Sequence, residues 1–343
     1  MQHSLFDPPE ASSAPPSATT KKSGRKVEAA TVEQSLLELS AALPSPLRLG
    51  TSSWNYPGWA GLVWQKDYPE ATLSRHGLPA YAQHPLLRCV GIDRTYYRPL
   101  DAAQFAAYAM QVPDDFRFVV KAPALVADAL LRDEAGRGLR TNTSFLDPAS
   151  AVHYFVKPAL EGLGPKLGAL VFQLSPLPVQ LFDQMPQLIE RLHAMLGALP
   201  AVRMRAPDAV VAVEVRDREW LTPRFVEVLR NSGVTYCLGL HAKMPRIDEQ
   251  VPILRTLWPG PLVCRWNLNP LHGAFGYEEA RDQYSPFNKL VDEDPATRNE
   301  LARIIAGTLK GGQRAYVTLS NKAEGCSPLS IVELAKVVRQ LLA

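Results

Sequence analysis

The sequence predicts an α/β fold, a TIM-type (β/α)8 barrel with a disordered N-terminal tail, and three observations carry that prediction. Eight short runs rich in aliphatic and β-branched residues are each followed by a stretch with helical spacing. The runs are nearly continuously apolar, as strands covered on both faces must be, which points to a parallel sheet wrapped by helices. The turn after the first run reads SSWNYPGW, with neither GxGxxG nor GxxxxGK[ST]. A doubly wound nucleotide-binding sheet would need such a phosphate turn, so a closed barrel is the economical solution.

Residues 1 to about 30 are rich in Pro, Ser, Ala and Lys and poor in aromatics. They offer too little apolar surface to offset the entropy of ordering and are expected to form the tail, leaving residues 31–343 as one barrel domain. Thr31 and Gln34 have capping-box spacing ahead of Val32, Leu36, Leu39 and Leu43, which predicts a short helix before the first strand. The strands are expected over 47–53, 87–93, 116–121, 167–174, 209–216, 235–241, 261–265 and 314–320. Between them the clearest helix repeats Leu181, Met185, Leu188, Leu192, Met195 and Leu199 at intervals of three and four. Thr222-Pro223, Asp294-Pro295 and Ser327-Pro328 each read as a cap followed by proline at the first helical position, where no amide hydrogen is needed. The connections over 122–148 and 267–294 are longer than a scaffold requires and are expected to be lids or rim loops.

Composition narrows the functional classes only modestly. Of 343 residues, 46% are hydrophobic and 21% charged, which is ordinary for a soluble domain, and the net charge of +3 is too mild to argue for nucleic acid. Cys89, Cys237 and Cys264 lie in apolar runs and none of the four cysteines forms a CxxC pair, which fits buried thiols in a reducing compartment. No apolar run approaches the roughly 20 residues of a membrane span, and no signal-peptide core is present. A cytoplasmic protein without a membrane partner is expected.

Function is expected at the strand ends, because barrel chemistry sits where the C-terminal ends of the strands converge. Along AVVAVEVR, Val210, Ala212, Glu214 and Arg216 share one face, so an acid and a base point the same way. Asp93, Lys121, Gln173, His241, Arg265 and Asn321 end other strands, and Trp54, Tyr56, Tyr96 and Tyr97 offer a stacking platform, with Arg98 beside them. Lys121 closes FRFVVKAP and fits three roles: an anion-binding group, a Schiff-base amine, or a partner of Glu214. Asp93, Glu214 and His241 come from strands two, five and six with no spacing signature for a metal, so no metal site and no cofactor is assigned.

Six stretches in order, GTSSWNYPGWAG, IDRTYYRPL, FRFVVKAP, LGALVFQLSP, VAVEVRDREWL and AYVTLSNKAEGCSP, resemble the YecE-like family, domain of unknown function 72. The likeness runs from about residue 47 to the C-terminus. It implies a TIM-barrel fold and supplies no reaction. The matching positions include Trp54, Tyr56, Tyr96, Tyr97, Arg98, Lys121, Gln173, Glu214, Arg216, Arg265 and Asn321. Two departures stand out: the family's Arg-x-His-Gly at the seventh strand is Arg265-Trp266-Asn267 here, and SNKAEG replaces its paired asparagines.

The expected function is an enzyme, a hydrolase, acting on a small or nucleic-acid-derived anionic substrate. Lys121, Arg216 and Arg265 would neutralise its phosphate or carboxylate oxygens. Glu214 would act as general base or acid, assisted by Asp93 or His241. Two alternatives are carbohydrate chemistry on the Asp93 and Glu214 pair and a non-catalytic ligand-binding barrel. On this reading Glu214→Gln and Arg216→Ala are expected to leave the fold intact.

Overall fold

Each of the eight apolar runs forms a strand in the computed structural model, which describes residues 26–133, 137–273 and 275–343. They are β1 (Leu47–Thr51), β2 (Cys89–Ile92), β3 (Arg117–Lys121), β6 (Leu167–Gln173), β7 (Val210–Glu214), β8 (Thr235–Leu240), β9 (Leu262–Trp266) and β10 (Ala315–Leu319). All pair in parallel, and because β1 pairs with both β2 and β10 the sheet closes into a barrel. Closure gives every strand two neighbours and leaves no open edge. The two strands that the sequence did not announce, β4 (Leu130–Arg132) and β5 (Gly138–Thr141), form an antiparallel hairpin inside the long connection after β3.

Alternation along each strand splits the core in two. Val119, Ala169, Val171, Val210, Ala212, Cys237, Val263 and Tyr316 fill the inside of the barrel, while Val213 and Val215 join the larger core between sheet and helices. Close approach of β1 to β2 requires glycine at position 50, since a Cβ there would lie 1.9 Å from the Cys89 carbonyl oxygen. Neither backbone can yield cheaply, so Gly50→Ala is expected to cost at least about 1–3 kcal/mol, checked by urea denaturation.

The helices cover the barrel with the faces that the periodicity indicates. Met185–Gly197 buries Leu188, Leu192 and Met195. Thr222 and Asp294 cap the helices Pro223–Asn231 and Pro295–Lys310 by accepting the amides of Phe225 and Thr297. Two expected caps are not formed. The first helix, Gln34–Ala41, begins after Glu33 without a side-chain cap, so Thr31 lies outside it. The last helix, Ser327–Leu342, starts at Ser327 itself, whose hydroxyl is drawn inward to Asn321 Oδ1.

Of the expected tail, residues 1–25 lie outside the described residues. Residues 26–30 belong to the packed domain: Val27 is buried, Ala29 bridges Trp64, and Ala30 donates to the Val63 carbonyl at 2.9 Å. At the N-terminal end of the strands an ion-paired plug closes the barrel, with Asp208 receiving Arg117 at 2.7 Å and Arg314 at 2.6 Å. All four cysteines are free and buried. Among the described residues no helix is long and apolar enough to cross a membrane.

Candidate active site

The floor of the open end is built on Glu214. Strand parity turns it into the barrel, where it is 0% exposed. A carboxylate so deep must be paired to stay charged. Its Oε1 receives Arg216 Nη2 at 2.7 Å and Asn267 Nδ2 at 3.3 Å, and its Oε2 receives Arg265 Nη1 at 2.7 Å. Gly239 makes the room, because a Cβ there would come within 3.2 Å of Oε1. Gln173 Oε1 accepts from the same two guanidiniums, at 3.0 Å from Arg216 and 2.9 Å from Arg265. Arg265 completes the chain by donating Nη2 to Asp93 Oδ2 at 2.7 Å. Burial alone pushes the Glu214 carboxyl up, but Arg216 and Arg265 outweigh it and hold the group below its ordinary value.

Above this floor lies a cavity of about 760 Å³. Its lining carries six basic side chains, Lys121, Arg216, Lys243, Arg265, Arg281 and Lys322, against the two carboxylates Asp93 and Glu278. Lys121, at the end of β3, places Nζ 3.8 Å from the centroid of the Tyr96 ring. Burial, with Arg265 and Arg216 adding to it and Asp93 and Glu214 opposing, brings this ammonium down to about 7. Tyr96 is fixed through its hydroxyl, which meets Ser175 Oγ at 2.7 Å and donates to Asp128 Oδ2 at 3.1 Å. Asp128 is itself held by Arg132 Nε at 2.7 Å, so the hairpin connection supports the mouth from outside. Tyr97 packs edge-on against Tyr96 and is 86% exposed.

His241 accepts the Lys243 amide on Nδ1 at 3.0 Å, which leaves the ring proton on Nε2. Burial first, then Arg216, lowers it to about 3. A second buried histidine, His84, is lowered by burial to about 4. The unfolded chain binds protons at both near 6.5 and the folded chain does not, so stability falls as pH drops from about 6.5 towards 4. Melting temperature is expected to decline across that window, with a smaller slope in His84→Gln; an unchanged slope would count against a neutral, buried His84.

The connection after β9 forms the rim. Its helix Tyr277–Tyr284 lays Tyr277, Glu278 and Arg281 along the cavity, with Phe275 before it. Tyr277 lies 5.2 Å from His241, and Lys243 Nζ sits 4.3 Å over the Phe275 ring. The loop is pinned by a relay in which His272 Nε2 meets the Tyr284 hydroxyl at 2.7 Å and that hydroxyl donates to Asp292 at 2.8 Å.

Of the sequence-predicted residues, Tyr56, Asp93, Tyr96, Tyr97, Lys121, Gln173, Arg216, His241 and Arg265 converge on this cavity. Four do not. Glu214 lies beneath the lining, both oxygens taken by arginines, so it cannot meet substrate as a general base. Trp54 faces a separate small pocket against Tyr108, with ring centroids 5.4 Å apart. Arg98 is exposed and outside the lining. Asn321 is buried, its Oδ1 accepting from Trp59 Nε1 at 3.2 Å and from the Ser327 amide at 2.9 Å, which ties the last helix to the sheet. Arg265 also lies between Asp93 and Glu214, one Nη on each, so the two acids do not flank the open gap that a glycosidase pair needs. Among the described residues, no group of three or more His, Cys, Asp or Glu side chains is arranged to hold a metal ion. Tyr277, Glu278 and Arg281 were missed; the length of their loop was the only signal. Lys243 and Lys322 follow strand ends directly and were legible as such.

Residues 48–342 match the family described as protein of unknown function DUF72. The chain belongs to the DUF72 family. Among solved structures, a DUF72 family protein of Thermotoga maritima is 19% identical, with a TM-score of 0.54 over 85% of this chain and 98% of that one. A DUF72 family protein of Enterococcus faecalis is 17% identical, with a TM-score of 0.51 over 85% and 97%. At such identities the likeness establishes the fold. No curated protein matches the sequence. Within this DUF72 barrel, Asn267 occupies the seventh-strand position where the resemblance expects histidine, and it donates to Glu214.

Proposed function

We propose that the mouth of this barrel is the active site of an enzyme, a hydrolase, that binds a small substrate through its phosphate or carboxylate. One observation carries the reading: two guanidiniums are locked in place by a buried carboxylate and an amide, and they face a cavity whose lining has a cationic excess. Such preorganised donors meet an anion without the entropy cost of ordering loose side chains. Tyr56, Tyr97 and Tyr277 offer apolar faces for the uncharged part of the substrate. Asp93 is the carboxylate at the cavity wall suited to take a proton from water, and neutral His241 supplies an N–H donor.

Calorimetric titration with inorganic phosphate and with oxalate tests the anion site. Saturable binding at one site is expected, weakened about ten- to a hundredfold in Arg216→Met, consistent with loss of one charge-assisted hydrogen bond of about 1.5–3 kcal/mol. Turnover, found by screening phosphate and carboxylate esters, is expected to drop by about a hundredfold or more in Asp93→Asn. Heat signals that do not saturate would remove the anion site, and full turnover in Asp93→Asn would remove its catalytic role.

A further inference from the structure

Lys121 differs from the other cations of the mouth. Arg216 and Arg265 are each tied to Glu214, and Arg265 to Asp93 as well. Lys243 Nζ lies over the ring of Phe275, Lys322 Nζ over Tyr277, and Arg281 is exposed on the rim helix and paired with Asp282. Lys121 Nζ also faces a ring, that of Tyr96, but it ends a barrel strand at the cavity wall, where Glu214 gives both oxygens to arginines and Asp93 gives only Oδ2, to Arg265. We propose that Lys121 is a carbonyl-capturing nucleophile, whose Nζ condenses with the aldehyde or ketone of a small anionic substrate, such as a 2-oxo acid, held by Arg216 and Arg265. This rests on the anion-binding reading above and is independent of the hydrolytic step.

The step balances without a further reagent. The amine lone pair attacks the carbonyl carbon, giving a carbinolamine; its oxygen takes up a proton and leaves as water, and a protonated C=N bond joins substrate to Nζ. The iminium draws electrons from the bond beside it, and Asp93 in the same cavity is placed to take the proton released there. Return of that proton from Asp93 to carbon regenerates the iminium, and addition of water to it then restores the carbonyl and the free amine.

The surroundings favour an uncharged amine. Burial acts first, then Arg265 and Arg216, against the opposite pull of Asp93 and Glu214, so the group titrates near about 7. The Tyr96 face opposes deprotonation as well, by a cation–π attraction. Near pH 7 about half of Lys121 is then free amine, roughly a thousandfold more than for an ordinary lysine.

The test is reductive trapping of the full chain with pyruvate or glyoxylate and cyanoborohydride, read by intact mass and peptide mapping. One adduct per chain on Lys121 is expected, forming about tenfold faster at pH 8 than at pH 6 as the amine deprotonates. It should vanish in Lys121→Met and Lys121→Arg and be blocked in the wild type by oxalate, an anion without a reactive carbonyl. The oxalate protection gives a result even if both variants fail to fold. Saturable oxalate binding with no adduct on Lys121 would overturn the proposal and leave the anion site standing. An absence of binding by both oxalate and pyruvate would overturn the two together. Labelling spread over surface lysines and unaffected by oxalate would also overturn it.

Discussion

Glu214→Gln is expected to lower the stability of the barrel by about 3–5 kcal/mol, the usual cost of removing one partner from a buried ion pair. The amide keeps the shape of the side chain, so the loss is electrostatic. Arg216 and Arg265 would remain buried beside one another, with Gln173 as a neutral acceptor and Asp93 reaching only Arg265. This reverses the expectation from sequence that the substitution leaves the fold intact. That expectation treated Glu214 as a group facing substrate, whereas its position beneath two guanidiniums makes it their counter-ion. The check is urea denaturation with and without phosphate. An anion in the mouth supplies part of the missing charge, so phosphate should recover some of the lost stability in Glu214→Gln. A midpoint equal to that of the wild type would show that the arginines do not depend on this carboxylate.

Arg265→Lys is expected to weaken phosphate or oxalate binding by about a hundredfold, or about 3 kcal/mol, the scale of one or two charge-assisted hydrogen bonds. The charge is retained, so the effect isolates geometry. The guanidinium reaches Glu214 and Gln173 with Nη1 and Asp93 with Nη2, a fork that a single ammonium cannot reproduce. Affinity should be measured by calorimetry on the folded fraction, alongside Arg281→Gln, an exposed cation on the rim helix. The rim change is expected to cost only a few-fold and to be largely screened by salt. Equal losses in the two variants would mean that the site reads net charge and not a fixed guanidinium.

The barrel was legible because its signals are local. Apolar runs of four to seven residues separated by helical spacing fix the number and order of the strands, and Thr222 and Asp294 cap the helices that their sequences announce. Caps failed where a distant group competed: the Ser327 hydroxyl goes to Asn321 Oδ1, a partner fixed by the end of β10. The hairpin after β3 was not foreseen, since its two strands are three and four residues long and its pattern does not alternate over enough residues to register.

The family, the closed (β/α)8 architecture and the set of polar residues at the strand ends follow from the order of residues, since alternation along a strand tells which side chains turn inward. Their depths in the barrel follow from packing. Depth follows position along the barrel axis: Arg216 stands two residues beyond Glu214 on the same chain segment, and Arg265, level with Gly239, also reaches the cavity above the fully buried Glu214. The same packing sent Trp54 to another pocket, left Arg98 in solvent, and brought Tyr277 and Arg281 across from a loop helix. Glu214 and Arg216 are two residues apart on one face of one strand. One lies fully buried and the other lines the cavity because a carboxylate deep in the barrel is stable only beneath its counter-ions.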